Sequence, residues 1–233
     1  MEGFILAAGL GTRLRPLTDD RPKALVEVGG MTLLERTIRR MEDAGIRHIV
    51  INVHHFADKV IDFVREGRWQ ATIDISDERE MLLDTGGGLK KASTLFSGKE
   101  NILIHNVDIL SDIDLREVEG FHKEKGNLVT LCVSNRNTKR YLAFDEDGQL
   151  AGRAEDGLAF SGISVVSPEL IALLPEADHP YPIIDEYIRI SACRPPTLHG
   201  CIGAFVHPAE HWLDVGKPET LEIARQWTLS SNR

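Results

Sequence analysis

Five consecutive apolar residues, Phe4-Ile-Leu-Ala-Ala8, run straight into Gly9-Leu-Gly11. So short an apolar run, with no polar alternation, suits a strand covered on both faces, and such strands belong to parallel sheets. Parallel neighbours need long crossover connections, usually helices. The chain must therefore supply amphipathic helices between further strands of the same kind.

It does. Leu33, Leu34, Ile38 and Met41 recur at helical spacing, opened by the capping pair Thr32 and Glu35 and closed by Gly45. Ile49 to Val53 reads as the second strand, Phe56, Val60, Ile61 and Val64 as the second helix, and Ala71 to Ser76 as the third strand. Asn101 to Ile109 and Leu128 to Val133 continue the pattern, with a helix from about Leu115 to Lys125 between them. Past residue 135 the alternation loosens. Tyr141 to Phe144 and Gln149 to Ala151 flank an acidic turn, Asp145-Glu-Asp-Gly148, as a hairpin. Phe160 to Val166 is a strand, Pro168 to Leu174 and Ile183 to Ile190 are helical, and Pro218 opens a final helix through Glu222, Ala224 and Trp227. The pattern predicts one α/β domain over residues 1–233, a Rossmann-like mixed, mostly parallel sheet flanked by helices, with a lobe boundary near residue 135.

Composition narrows the function classes. Among 233 residues, 27 Lys and Arg against 36 Asp and Glu give a net charge of −9, which disfavours general binding to nucleic acid or to an anionic membrane. No apolar run approaches the ~20 residues of a membrane span. Glu2 before the opening run and Gly9 to Arg13 after it deny it the basic start and the length of a signal peptide. Cys132, Cys193 and Cys201 form no CxxC pair and leave an odd thiol, so a cytosolic protein without disulfides is expected. Against this acidic background Arg13, Arg15, Arg21 and Lys23 crowd one short stretch, which points to a small anion as ligand there.

That stretch follows the first strand directly, where ligands sit in open α/β sheets. Gly9 and Gly11 let the backbone bend tightly and aim N–H groups at phosphate oxygens. Arg13 offers a planar fork to the same oxygens and Lys23 a compact charge. Two familiar phosphate fingerprints do not fit, because position 14 is leucine where the dinucleotide pattern needs glycine, and no Gly-Lys-Ser/Thr occurs.

The string Gly9-Leu-Gly-Thr-Arg-Leu-Arg-Pro-Leu-Thr18 with Pro22-Lys-Ala-Leu-Val26 resembles the signature of the sugar-phosphate nucleotidylyltransferases, and the resemblance extends over nearly the whole chain. It implies the nucleotide-diphospho-sugar transferase fold and two small-molecule substrates, a nucleoside triphosphate and a sugar 1-phosphate. It implies further that Ala8, Gly9, Gly11, Thr12 and Arg13 hold the nucleotide, with Arg13 and Lys23 stabilising charge on the reacting and leaving phosphates. Asp108 and Asp214 stand where the family carries its Mg2+ ligands, hard carboxylates suited to that ion. Val107 replaces the family's usual glycine and is expected to add a side chain beside the substrate.

Gly86 and Gly87, in Thr85-Gly-Gly-Gly88, resemble the stretch with which the family reads the base through the main chain. These glycines are expected to lead into the helix that follows. This version most resembles the N-acetylmuramate α-1-phosphate uridylyltransferases, with mannose or heptose 1-phosphate guanylyltransferases nearly as compatible. Gly162, after Ser161, resembles the family's sugar-side strand, and Asp185 is placed to reach a sugar hydroxyl. The family's Glu-Lys pair for the sugar phosphate has no clean equivalent. Arg136, Arg140 and Arg153 are the available cations, each read as a surface charge. His54, His55 and His105 form no metal-ligand set, and Trp212 and Trp227 read as core anchors.

Overall fold

Residues 1–193, 202–208, 210 and 212–231 are described by the computed structural model. Strand β1 (Glu2–Leu6) is followed by a two-stranded ribbon, β2 (Glu27–Val28) with β3 (Met31–Thr32). Then come α1 (Leu33–Asp43), β4 (His48–Val53), α2 (Ala57–Glu66), β5 (Thr72–Asp77) and α3 (Asp84–Ala92). β6 (Ile102–Asn106), β7 (Ile109–Ser111), α4 (Leu115–Lys125) and β8 (Val129–Ser134) complete the more regular half. The remainder holds β9 (Tyr141–Phe144), β10 (Leu150–Ala154), β11 (Leu158–Val166), α5 (Ile183–Cys193), β12 (Ile202–Val206), β13 (Trp212–Asp214) and α6 (Pro218–Ser231).

Nine strands make the central sheet, running β10-β9-β11-β6-β1-β4-β5, with β8 beside β11 and β12 outside β8. β1 pairs in parallel with both β4 and β6, β4 with β5, and β8 with β12. β11 lies antiparallel to β6, β8 and β9, and β10 antiparallel to β9, so β10 and β11 alone oppose the other strands. The sheet is mixed and mostly parallel, and it crosses residue 135 without a break.

Both faces of the sheet's centre are covered, which is why Phe4 to Leu6 of β1 read as an unbroken apolar run. On β1, Ile5 joins a core with Leu34, Ile38 and Met41 of α1, Val60 of α2, Val118 of α4 and Leu221 of α6. Its neighbour Phe4 points the other way, into a core with Leu89 of α3 and Ile183 and Tyr187 of α5. The Thr32 hydroxyl accepts the Glu35 N–H at 3.1 Å, and Gly45 takes φ +91° to stop α1. Among the described residues no helix is long and apolar enough to cross a membrane. Cys132 and Cys193 are free thiols, and Cys201 lies outside the described residues.

Four elements depart from the sequence pattern. The apolar run at the start leaves the sheet after Leu6, because Ala7 and Ala8 donate their N–H groups to a side chain, Oδ1 of Asn52, at 2.7 and 3.2 Å. The expected strand 101–109 breaks at Val107, whose N–H bonds Leu6 O, and β7 then pairs with β13 in a separate ribbon. Gly86 to Gly88 do not precede a helix but lie inside α3, where tertiary packing outweighs their poor helix propensity. The Pro168 segment forms a 3₁₀ rather than an α turn, over Pro168–Leu173.

Candidate active site

The glycine loop is fixed from below. Leu14 is fully buried in the core, its N–H bonds Gly11 O at 2.9 Å, and the Thr18 hydroxyl donates to the same carbonyl at 2.9 Å. Gly11 takes φ +64°. A β-carbon there would also meet Lys23 Cβ and Thr18 Cγ2, each at 3.1 Å. A β-carbon on Gly9 would lie 3.7 Å from Lys23 Nζ. The lysine stem thus runs along the two glycines, crowding position 11 and leaving ordinary contact distance at position 9. Thr12 and Arg13 face outward on a 3₁₀ turn, Thr12–Leu14.

Lys23 is set by another 3₁₀ turn, Lys23–Leu25, pinned by the fully buried Ala24. Its ammonium donates to Asp108 Oδ2 at 2.6 Å, both side chains being largely buried. Asp108 follows β6, and its carbonyl accepts the Val215 N–H at 2.9 Å. Asp214, on β13, stands opposite Ile109 of β7, one residue from Asp108. Its Oδ1 accepts the Gly216 N–H at 2.7 Å, and its Oδ2 lies 3.9 Å from Arg13 Nη2. Arg13, Lys23, Asp108 and Asp214 therefore meet at the carboxyl ends of β1 and β6, two cations against two carboxylates. Two hard carboxylates, one in the turn before β7 and one on its partner strand β13, fit the demands of Mg2+, which takes its other ligands from water and phosphate. Among the described residues no group of three or more His, Cys, Asp or Glu is arranged to hold a metal ion.

Val107 does not stand beside this cluster. It is 1% exposed and packs in the core with Ile5 and Ile109, so its side chain points away from the loop, correcting the expectation drawn from the missing glycine.

The second lobe comes close through Gly162. β11 bulges between Phe160 and Ser164, and Gly162 takes φ +74° there. A β-carbon on it would lie 2.8 Å from Ile109 Cγ1 and 2.9 Å from Asn106 Nδ2, so glycine alone lets the bulge reach the β6–β7 turn that carries Asp108. Asp185, on the first turn of α5, pairs with Arg153 on β10, and no bond joins it to the four charged residues. Gly86 and Gly87 are buried against the segment before α5: the Gly86 N–H bonds Tyr181 O at 2.9 Å, and a β-carbon on Gly87 would lie 3.2 Å from His179 O.

Arg136 is not a surface charge. Its guanidinium is half-buried 3.6 Å over the Trp212 ring and donates to Ser134 Oγ, Ser161 Oγ and the carbonyls of Ala159 and Phe160. Burial pulls its pKa down to about 10, opposed by the nearby Asp214 charge, so it stays cationic at neutral pH. Trp212 Nε1 in turn donates to Ser161 O at 2.7 Å. Trp212 is accordingly a platform for a cation as well as a core anchor. Sequence periodicity carried no sign of this, because Arg136 lies in a loop 76 residues before its ring partner. His54 and His105 bond backbone carbonyls, of Glu78 and Asn106, in keeping with a structural part.

A glycine loop with a cationic side stands at the switch of an open α/β sheet, the place where such sheets take ligands, and it faces two carboxylates. The chain belongs to the nucleotidyl transferase family, whose model matches residues 2–154, and it is a sugar-phosphate nucleotidyltransferase enzyme. It is 34% identical to N-acetylmuramate alpha-1-phosphate uridylyltransferase of Caulobacter vibrioides, over 93% of this chain and 92% of that one. It is 35% identical to mannose-1-phosphate guanyltransferase of Debaryomyces hansenii over 58% of this chain, which is 38% of that protein. The fold matches HddC from Yersinia pseudotuberculosis complexed with GMP-PN, with a TM-score of 0.76 at 24% identity over 97% of this chain and 99% of that one.

Proposed function

We propose that the enzyme joins UTP to a sugar 1-phosphate, N-acetylmuramate 1-phosphate in the first instance, and releases pyrophosphate. The observation that carries this reading is the meeting of Lys23 with Asp108 and of Arg13 with Asp214 beside one glycine loop. Residues 1–135 would bind the nucleotide, through Ala8, Gly9, Gly11, Thr12 and Arg13 at the phosphates and Gly86 and Gly87 at the base. Residues 136–233 would bind the sugar, through Gly162 and Asp185.

An oxygen of the sugar phosphate attacks the α-phosphorus in line and pyrophosphate departs opposite. That oxygen is already anionic, so no side chain need take a proton. The residues then act by positioning and by charge. Arg13 offsets charge on the transferring and leaving phosphates, and Lys23 covers the anions near the reacting phosphorus. Asp108 and Asp214 would hold Mg2+, which when bound draws negative charge off the phosphates.

The test is pyrophosphate release with Mg2+ across UTP, GTP, CTP and dTTP and a panel of sugar 1-phosphates. UTP with N-acetylmuramate 1-phosphate is expected to turn over best. A preference for GTP would favour the guanylyltransferase reading, which the Debaryomyces hansenii relative supports. Tight nucleotide binding with no turnover across the panel would favour a non-catalytic binding module on the same fold.

A further inference from the structure

Two buried polar side chains outside the charged cluster join the halves of the nucleotide site. Asn52, on β4, is 2% exposed, and Glu78, just past β5, is fully buried. Asn52 Oδ1 accepts the N–H groups of Ala7 and Ala8, the last residues before the glycine loop, at 2.7 and 3.2 Å. With its oxygen so engaged, its amide donates outward, to Glu78 Oε1 at 2.8 Å. Glu78 Oε2 accepts the Leu83 N–H at 3.1 Å, at the start of α3. The chain of bonds is thus loop, Asn52, Glu78, helix. α3 also lies directly on the pair, for a β-carbon on Gly88 would come within 2.9 Å of Glu78 Oε1 and 3.0 Å of Asn52 Nδ2.

Among the described residues no cation forms an ion pair with the Glu78 carboxylate; burying it so is costly, and burial pushes its pKa up. An apolar pair would fill the same space at less cost. What an apolar pair lacks is direction: each bond here fixes one backbone segment relative to the other. We infer that Asn52 and Glu78 are positioning residues that set the distance between the phosphate loop and the base-side helix, and so the affinity for the nucleoside triphosphate. The inference rests on the proposed nucleotide site but concerns neither base identity nor the acceptor.

The donor and acceptor roles make the pair testable by exchange. Glu78→Gln keeps the shape but puts an amide where both neighbours donate. Asn52→Asp sets a carboxylate against a carboxylate. In the double variant, Asp accepts from Ala7, Ala8 and the new Gln, whose own oxygen accepts from Leu83, so every bond has a partner again with polarity reversed. The measurement is the dissociation constant of UTP with Mg2+ on the full chain, together with KM for UTP and for the sugar 1-phosphate, above neutral pH so that no shared proton bridges two carboxylates. Each single variant is expected to weaken UTP by about tenfold or more, the usual effect of leaving a buried polar group unsatisfied, with KM for the sugar phosphate changed by less than about twofold. The double variant is expected to recover to within about threefold of the original.

Folded single variants that bind UTP normally would overturn the inference. So would a folded double variant that binds as weakly as the worse single one. Should the singles fail to fold, the double decides alone, since it restores every bond. An unmodified protein that binds no nucleoside triphosphate would instead sink the nucleotide reading itself.

Discussion

The Lys23 ammonium lies 2.6 Å from Asp108 Oδ2, a contact that joins residues 85 positions apart and leaves both largely buried. Each keeps the other in place while no anion competes for the lysine. Lys23→Ala and Asp108→Ala should each lower turnover at least ~100-fold, in line with removal of one electrostatic stabiliser. Asp108→Ala should also strand a buried ammonium, so it should cost more in thermal stability than Lys23→Met paired with Asp108→Asn. Pyrophosphate-release kinetics and melting curves on the same samples check both. Near-normal turnover by either alanine variant removes that residue from the mechanism.

The stacked cation of the second lobe gives a different pattern. Arg136 ties the edge of β8 and the β11 bulge to Trp212, two residues before Asp214. Arg136→Met keeps the apolar stem and loses the fork, and should lower kcat/KM for the sugar phosphate by about tenfold while UTP binding holds. Arg136→Lys should not restore it, because an ammonium neither stacks as a plane nor reaches four acceptors in one geometry. A shift in Trp212 emission should accompany both changes. Full recovery by lysine would mean that charge alone matters there.

How far the sequence reached depends on the kind of signal. The alternation of apolar runs with helical spacing is legible because Phe4 and Ile5 serve two different cores, and only a doubly covered strand writes that pattern. The convergence of Arg13, Lys23, Asp108 and Asp214 was legible only through the family motif, since no local periodicity ties Lys23 to Asp108. Arg136 over Trp212 and Asn52 on Glu78 were invisible for the same reason without a motif to mark them. Polar groups that find each other across the fold leave no trace in local spacing. The glycines of α3 misled in one respect, their position relative to the helix, because packing against Tyr181 and Glu78 rather than turn geometry requires them.

Two glycines separate stability from activity. A β-carbon on Gly86 would lie 2.4 Å from the Tyr181 ring and 3.0 Å from its backbone oxygen. Gly86→Ala should therefore destabilise the fold by about 1–3 kcal/mol, the usual cost of overpacking, and lower the melting temperature by several degrees. A β-carbon on Gly216 would instead meet the tip of Arg13, at 2.6 Å from Nη2, and Asp214 Oδ1 at 2.7 Å. Those are side-chain ends that can move. Gly216→Ala should leave the melting temperature nearly unchanged yet cost about tenfold or more in turnover, because it displaces two charged groups from their places. Equal effects of the two substitutions on melting would refute this division.

Acid stability follows from two buried imidazoles. Burial, with the Arg40 charge beside it, pulls the His105 pKa from 6.5 down to about 3. Burial pulls that of His122 down to about 4, where its ring nitrogens meet the hydroxyls of Thr130 and Ser167. Both are neutral in the folded protein and both take a proton on unfolding below 6.5. Their contribution is fully present above that value and is lost as pH falls toward the folded values, at about 1.4 kcal/mol per pH unit for each residue. His48 and Glu78 act in the opposite sense, since their folded pKa values are raised and their contribution is lost as pH rises. Denaturant unfolding between about pH 7.5 and about pH 5 should show stability falling with acid, and His122→Gln should remove about half of the histidine slope. A slope unchanged by that substitution would mean that His122 takes its proton in the folded protein as readily as in the unfolded chain.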